Sequence, residues 1–186
     1  LKRSHPWSLS ESDLGMVGTT VSESSSVTHE AERTQPFVLF RLGGEGYALE
    51  VMRVQEVLDM GSLTQVPGGP KALRGVLNLR GHVVPVWDLR IPFGLTIDPA
   101  PSRAPCVLIV ESQVNNEERV TGLLVDRVSD VLEFAPEEIQ PSPPLGLGAA
   151  SPFVRGLIRH QEGFLLVLDV DRVFSSLAGA VMTGGH

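Results

Sequence analysis

The chain has 186 residues, 42% of them apolar but only 5% aromatic, and a formal net charge of −7. A chain of this length makes one domain or two small ones sharing a core. The acidic balance argues against phosphate-driven nucleic-acid binding and against adhesion to anionic lipid, and a single cysteine, Cys106, rules out an internal disulfide.

Residues 1–35 are rich in Ser, Thr and Glu, with isolated apolar residues and no period. Such a stretch cannot bury enough surface to offset the entropy of ordering it, so a disordered tail is predicted. His5-Pro6-Trp7-Ser8-Leu9 is the one part of it able to act as a short docking motif, although a solvated tail is the favoured account of it. No apolar run approaches the roughly 18 residues of a membrane span, and no basic-then-apolar leader opens the chain, which fits a cytoplasmic protein.

The folded body is predicted to run from residue 36 to 178. Phe37 to Leu42 reads as a strand, Gly43 to Gly46 as a turn, and Tyr47 to Glu50 as the returning strand of a hairpin. Val51, Val54, Val57 and Leu58 predict one helical turn running into a strand, because β-branched residues weaken a longer helix. Leu63 to Val66 reads as a short strand closed by Pro67. Arg74 to Leu79 and His82 to Leu89 are strands joined at Arg80-Gly81, a tight turn in which Gly81 supplies a positive φ. Arg90 to Leu95 reads as a helical turn, and Thr96 to Pro105 as a Pro-rich connection.

Cys106 to Glu111 is a predicted strand, which makes Cys106 a small core residue rather than a nucleophile. Gln113 to Arg119 reads as a polar turn, Val120 to Val125 as a strand, and Pro141 to Pro152 as a long surface loop. Val154 to Arg159 and Gly163 to Asp169 form a second hairpin. Asp171 to Ala178 is a closing helix, with a frayed tail over 179–186. Many short strands between Gly/Pro turns indicate an all-β architecture.

The chain states its pattern twice. Val51-Met-Arg53-Val54-Gln-Glu56-Val57-Leu58 returns as Val125-Asp-Arg127-Val128-Ser-Asp130-Val131-Leu132. Leu73-Arg74-Gly75-Val76-Leu77 returns as Val154-Arg155-Gly156-Leu157-Ile158, and Val83 to Leu89 returns as Phe164 to Val170. The offset is roughly 74 residues early and roughly 81 late, too long for a solenoid unit and suited to two duplicated subdomains, about 47–95 and about 120–177. A fold built twice has a cleft between its copies and two related outer faces. Asp88 and Asp169 repeat ahead of helical turns and read as structural N-caps. Gly75 and Gly156 repeat where a backbone must come close.

Catalytic patterns are missing from the sequence. His82 and His160 sit at hairpin turns, and His5, His29 and His186 lie in tails. No metal-ligand spacing, Gly-x-Ser-x-Gly elbow or Walker loop occurs, and kinase signatures are absent. The reading is a non-enzyme without cofactor or metal.

Gly75-Val-Leu-Asn78-Leu-Arg80-Gly81-His-Val-Val-Pro85-Val86-Trp-Asp88-Leu89-Arg90, with Tyr47 to Val57 upstream and Gly122 to Val128 and Gly156 to Asp169 downstream, resembles the CheW-like family of chemotaxis coupling proteins. The resemblance implies two five-stranded SH3-like β-barrel subdomains with short helical turns and a hydrophobic seam between them. It implies an adaptor joining the cytoplasmic tip of chemoreceptors to the regulatory domain of a histidine autokinase, recruited to membrane-associated arrays. A CheW-like scaffold with a specialised motility or polarity output is the alternative, to which the tail and the long loop lend weight.

The partner-facing positions taken from the resemblance are Val51, Val54, Glu56, Val57, Gly75, Asn78, Arg80, Gly81 and Val86. Glu56 and Arg80 are expected to face each other on the first barrel, either to contact a partner, to shape the hairpin, or as two unrelated surface charges. Val51, Val54 and Val57 either line a groove for a receptor helix or pack the core.

Overall fold

The computed structural model describes residues 34–99, 101, 103–142 and 152–183. The expectations for the tail before Thr34, for most of the Pro141–Pro152 loop and for the last three residues therefore lie outside the described residues.

Eleven strands and two α-helices are described: β1 (Gln35–Leu42), β2 (Glu45–Glu50), β3 (Val54–Asp59), β4 (Leu73–Leu79), β5 (His82–Trp87), α1 (Arg90–Phe93), β6 (Cys106–Val114), β7 (Glu117–Val125), β8 (Arg127–Phe134), β9 (Ile139–Gln140), β10 (Val154–His160), β11 (Gly163–Leu168) and α2 (Val170–Thr183). They form two curled sheets, in the orders β3-β6-β7-β5-β4 and β8-β1-β2-β11-β10-β9. The chain is mainly β, as its short strands and turn residues indicated.

The strand orders contain an exchange. The hairpin β1–β2, from the first half of the chain, sits in the sheet of the second half. There β1 runs antiparallel to β8 and β2 runs parallel to β11. Reciprocally, β6–β7 sits in the sheet of the first half, with β6 antiparallel to β3 and β7 parallel to β5. Each barrel therefore borrows its central hairpin from the other copy.

Both sheets curl shut in the same way. After β3 the chain returns so that Thr64 and Val76 exchange backbone hydrogen bonds of 2.9 and 2.8 Å, and after β8 the short β9 pairs with β10. Gly75 and Gly156 lie under these closures. A Cβ on Gly75 would sit 2.5 Å from the Thr64 carbonyl oxygen, and one on Gly156 would sit 2.7 Å from that of Gln140. Each also marks a register shift against the partner strand, at Leu73/Gly75 and at Val154/Gly156.

Three apolar clusters follow from strand alternation. Val84, Val86, Val107, Ile109 and Leu124 fill one barrel, and Phe37, Leu39, Ala48, Ile158 and Val167 fill the other. The opposite faces of the same borrowed strands carry Val38, Phe40, Leu42, Leu108, Val110, Leu123 and Val125, which form the seam with residues of α1 and α2. Strands buried on both faces read as continuous apolar runs, which accounts for Phe37 to Phe40 and Val107 to Val110. An aromatic run crosses this seam, Phe40 on Tyr47, Tyr47 on Phe93 and Phe93 on Phe153, with centroids 5.7, 6.4 and 5.4 Å apart.

Three expectations differ from what is seen. The polar stretch Gln113 to Arg119 is mostly strand, because β6 and β7 stay paired as far as Val114 and Glu117 and turn only at Asn115-Asn116, both with positive φ (52° and 67°). Such a pair makes the tight hairpin turn that matches strand twist. Leu63 to Val66 contributes a single bridge at Thr64 rather than a strand. The closing helix continues beyond Gly179 to Thr183, since a lone Gly weakens a helix without ending it when helix-compatible residues follow.

Candidate functional site

The β4–β5 hairpin turns at Arg80 and Gly81, with φ of 50° and 89°. Positive φ at both central positions is the signature of a type I′ turn, and the Asn78 side-chain oxygen accepts the Gly81 N–H at 2.8 Å. A left-handed residue other than Gly, Asn or Asp costs on the order of 1–2 kcal/mol. Arg80 bears this cost in a position that sends its guanidinium to Glu56 on β3. Nη2 lies 3.0 Å from Oε1 of Glu56. That oxygen is buried and the N–H does not point along it, so the contact is an ion pair without an aligned hydrogen bond. Arg80 is 77% exposed and Glu56 23%, so the cation faces outward from a carboxylate set into the wall.

The second copy lacks this arrangement. Gln161 takes the place of Arg80 in the β10–β11 turn, also with positive φ (52°), and Asp130, in the place of Glu56, accepts the N–H of Val131 at 2.8 Å. A feature present in only one copy of a duplicated fold is not required by the fold itself.

The other residues expected to face a partner divide between surface and interior. Val51 and Val54 are half-buried against the seam, whereas Val57 is exposed. Val86 is fully buried inside its barrel, and Gly75 is buried beneath the Thr64 closure, the close backbone approach expected of it lying within a barrel. Their part is to set the shape of the wall that carries Arg80. The outward apolar residues recur in both copies: Val57 and Val83 on the first, Val131 and Phe164 at the equivalent places on the second. Val83, Val131 and Phe164 were not singled out from the sequence, although strict alternation along β5 and β11 places Val83 and Phe164 on the face opposite Val84 and Leu165.

Asp88 lies one residue ahead of Leu89, the N-cap of α1, and its carboxylate holds a guanidinium rather than capping the helix. It is 0% exposed, and its two oxygens accept from the Arg90 guanidinium at 2.8 and 2.9 Å, with the Arg90 backbone N–H at 3.1 Å. Arg90 also reaches Asp126, at the β7–β8 junction, at 2.6 Å. The hydrogen bond to Asp88 is the largest influence raising the guanidinium above its ordinary pKa, against the opposing effect of burial. The other carboxylate oxygen of Asp126 takes the N–H of Gly43 in the β1–β2 turn at 2.7 Å. Asp169 accepts the Arg172 N–H at the start of α2 at 3.1 Å.

The second copy repeats the junction with the charges exchanged. Asp171, at the place of Arg90, pairs with Arg53 at 2.8 Å, and its other oxygen takes the N–H of Gln113 in β6 at 2.6 Å. Arg155 and Glu50 pair alongside at 2.7 Å. Sequence reasoning missed both junctions. The only signal was that charged residues recur at each strand-to-helix corner.

Burial pushes the Cys106 thiol up from its usual value, which holds it protonated near neutral pH. Among the described residues no group of three His, Cys, Asp or Glu side chains is placed to hold a metal, and no helix is long and apolar enough to cross a membrane.

Comparison with known proteins agrees with this geometry. The family model of the CheW-like domain matches residues 36–178. The chemotaxis protein CheW of Klebsiella aerogenes is 36% identical over 145 residues, covering 76% of this chain and 82% of that protein. Protein PilI of Pseudomonas aeruginosa is 29% identical over 137 residues, covering 74% of each. The crystal structure of the scaffolding protein TtCheW from Thermoanaerobacter tengcongensis superposes with a TM-score of 0.67 at 30% identity, covering 76% of this chain and 92% of that one. With its duplicated, strand-exchanged barrels and the family pattern running through nearly all of the described body, the chain belongs to the CheW-like family.

Proposed function

We propose that this protein is a non-catalytic adaptor that couples chemoreceptors to a chemosensory histidine autokinase through protein–protein contacts. The observation that carries the reading is the pair of outward ends on one molecule: Val57 and Val83 on one barrel, Val131 and Phe164 at the matching places on the other. Related but unequal ends favour head-to-tail contacts, which close into rings or extend into arrays. Such a molecule can meet the regulatory domain of the kinase at one end while another surface meets the receptor tip.

The ion-paired hairpin at Arg80 gives the first barrel a cation that the second lacks, and so a means of telling two similar partners apart. Glu56 against Arg80, Asn78 and Gly81 at the hairpin turn, and the exposed Val57 next along β3 form the proposed contact patch, with Val51 and Val54 half-buried at the seam. The protein acts in the cytoplasm, at the membrane-associated receptor arrays.

Reconstitution tests this reading. Receptor cytoplasmic domains and purified histidine kinase from the source organism are combined with and without the chain, and kinase autophosphorylation is followed. Stimulation of the kinase only when all three are present is the expected result. Kinase activity indifferent to the chain, with no co-sedimentation of either partner, would overturn the proposal.

A further inference from the structure

We propose that a concavity of about 530 Å³, walled by the β1–β2 turn, the β7–β8 junction and the chain after α1, binds an acidic peptide segment of a partner protein through Arg41, Arg103 and Arg127. Arg41 and Arg127 are directly opposite each other across β1 and β8. Like charges placed so are destabilising, and the arrangement is unexpected in a chain carrying a net charge of −7, where carboxylates are plentiful.

The nearby acids offset it only in part, since two carboxylates line the concavity against three guanidinium groups. Both oxygens of Asp126 are committed, one to Arg90 and the other to the Gly43 N–H. Asp98 also lines the concavity and has a partner of its own. Arg41 donates to the Gly44 carbonyl at 2.9 Å, and among the described residues neither Arg103 nor Arg127 belongs to an ion pair. Three exposed arginines therefore line one open hollow.

The chemistry selects the occupant. Arginine forks hold carboxylates bidentately, and an open hollow of this size admits several side chains of an extended segment. No aromatic side chain lines it to stack a base, and the net negative charge opposes a polynucleotide or an anionic bilayer. None of these arginines belongs to the Arg80 hairpin or to the exposed apolar ends, so this surface is additional to the adaptor contacts proposed above.

The test uses the full chain and a fluorescein-labelled oligoglutamate peptide, followed by fluorescence anisotropy at low salt. The intact protein is expected to bind saturably, and Arg103→Ser/Arg127→Ser to bind at least about tenfold more weakly, the loss of charge-assisted contacts. Arg74→Ser/Arg159→Ser removes the same charge from exposed positions elsewhere and is expected to change binding by less than about twofold, since only long-range attraction is altered. An unchanged melting temperature of the first variant shows that its fold is kept. Equal weakening in both variants would overturn the proposal, because net charge alone would then explain binding. Absence of saturable binding would overturn it too. Retention on phosphatidylserine vesicles without peptide binding, or self-association lost only in Arg103→Ser/Arg127→Ser without peptide binding, would reassign the surface to a membrane or to a second copy.

Discussion

Arg80 and Gln161 hold the same place in two related hairpins and the same left-handed backbone, at φ 50° and 52°, yet only Arg80 lies against a carboxylate. Backbone strain that persists in both copies has acquired a charge pair in one. Because Arg80 is exposed, the pair adds no more than about 1 kcal/mol to stability. Arg80→Gly removes both the strain and the pair, so the variant is expected to be as stable as the parent or more so, by up to about 1 kcal/mol. It is nevertheless expected to stimulate kinase poorly in the reconstituted system. Urea denaturation together with autophosphorylation separates the two readouts, and full activity in Arg80→Gly would reduce the ion pair to a hairpin ornament.

Arg90 presents the opposite case, since its partner Asp88 is wholly buried. Removing one member of a buried pair leaves an uncompensated charge and costs about 3–5 kcal/mol. Arg90→Met is expected to lower stability by that amount. Asp88→Asn/Arg90→Met is expected to lose less, because the stranded charge is gone. Equilibrium unfolding in urea measures both, and a double variant no better than the single one would contradict the account.

The two closures predict a graded response. Gly156→Ala drives a methyl group into the Gln140 carbonyl, a clash expected to cost about 2–3 kcal/mol. Gly75→Ala meets the Thr64 carbonyl at a shorter distance and also adopts φ of +147°, so it is expected to cost more. Melting temperatures that fall in the reverse order would mean that the Thr64 bridge yields more readily than β9.

Tyr47 is the one tyrosine of the chain, so its ionisation can be read directly. Burial, with the charge of Glu45 adding to it, pushes its hydroxyl up to about 12 from the ordinary 10.0. A raised pKa means that the neutral phenol is the form the fold favours. Its contribution, on the order of 2–3 kcal/mol, is fully present below pH 10 and is lost as the pH climbs from about 10 through about 12. Absorbance at the tyrosinate band should therefore show a native midpoint near 12 and a midpoint near 10 in denaturant. A native midpoint near 10 would place the ring in contact with water.

Most of the fold could be read from the sequence, because the duplication fixed which segments are equivalent and the Gly/Pro/Asn turns fixed where strands reverse. Arg80-Gly81 was legible as a turn from Gly81 alone. The meeting of Glu56 with Arg80 was not, since 24 residues separate them in the chain and only the family resemblance brought them together. The exchange of hairpins was hidden for a related reason. Internal repetition says that β2 resembles β7, but it does not say which copy each will join, a choice made by burial on both faces of β1 and β6. The Gln113 to Arg119 strand ends escaped notice because the segment is polar apart from Val114, and the pairing of backbone ladders needs no apolar side chains. Arg90, Asp126, Arg53 and Asp171 are ordinary surface residues by type, and only the packed corners turn them into buried or half-buried latches.

Each barrel is completed by strands encoded in the other half of the gene. The molecule is in effect a swapped dimer whose two subunits have been written on one polypeptide and can no longer dissociate. Dilution cannot separate its ends, and neither half can unfold while its neighbour stays whole. A proteolytic cut in the 96–105 connection is accordingly expected to leave two fragments that travel together through a column, each holding the hairpin the other needs. For a scaffold this fixes a spacing between its two outer faces that does not depend on how much of the protein the cell makes.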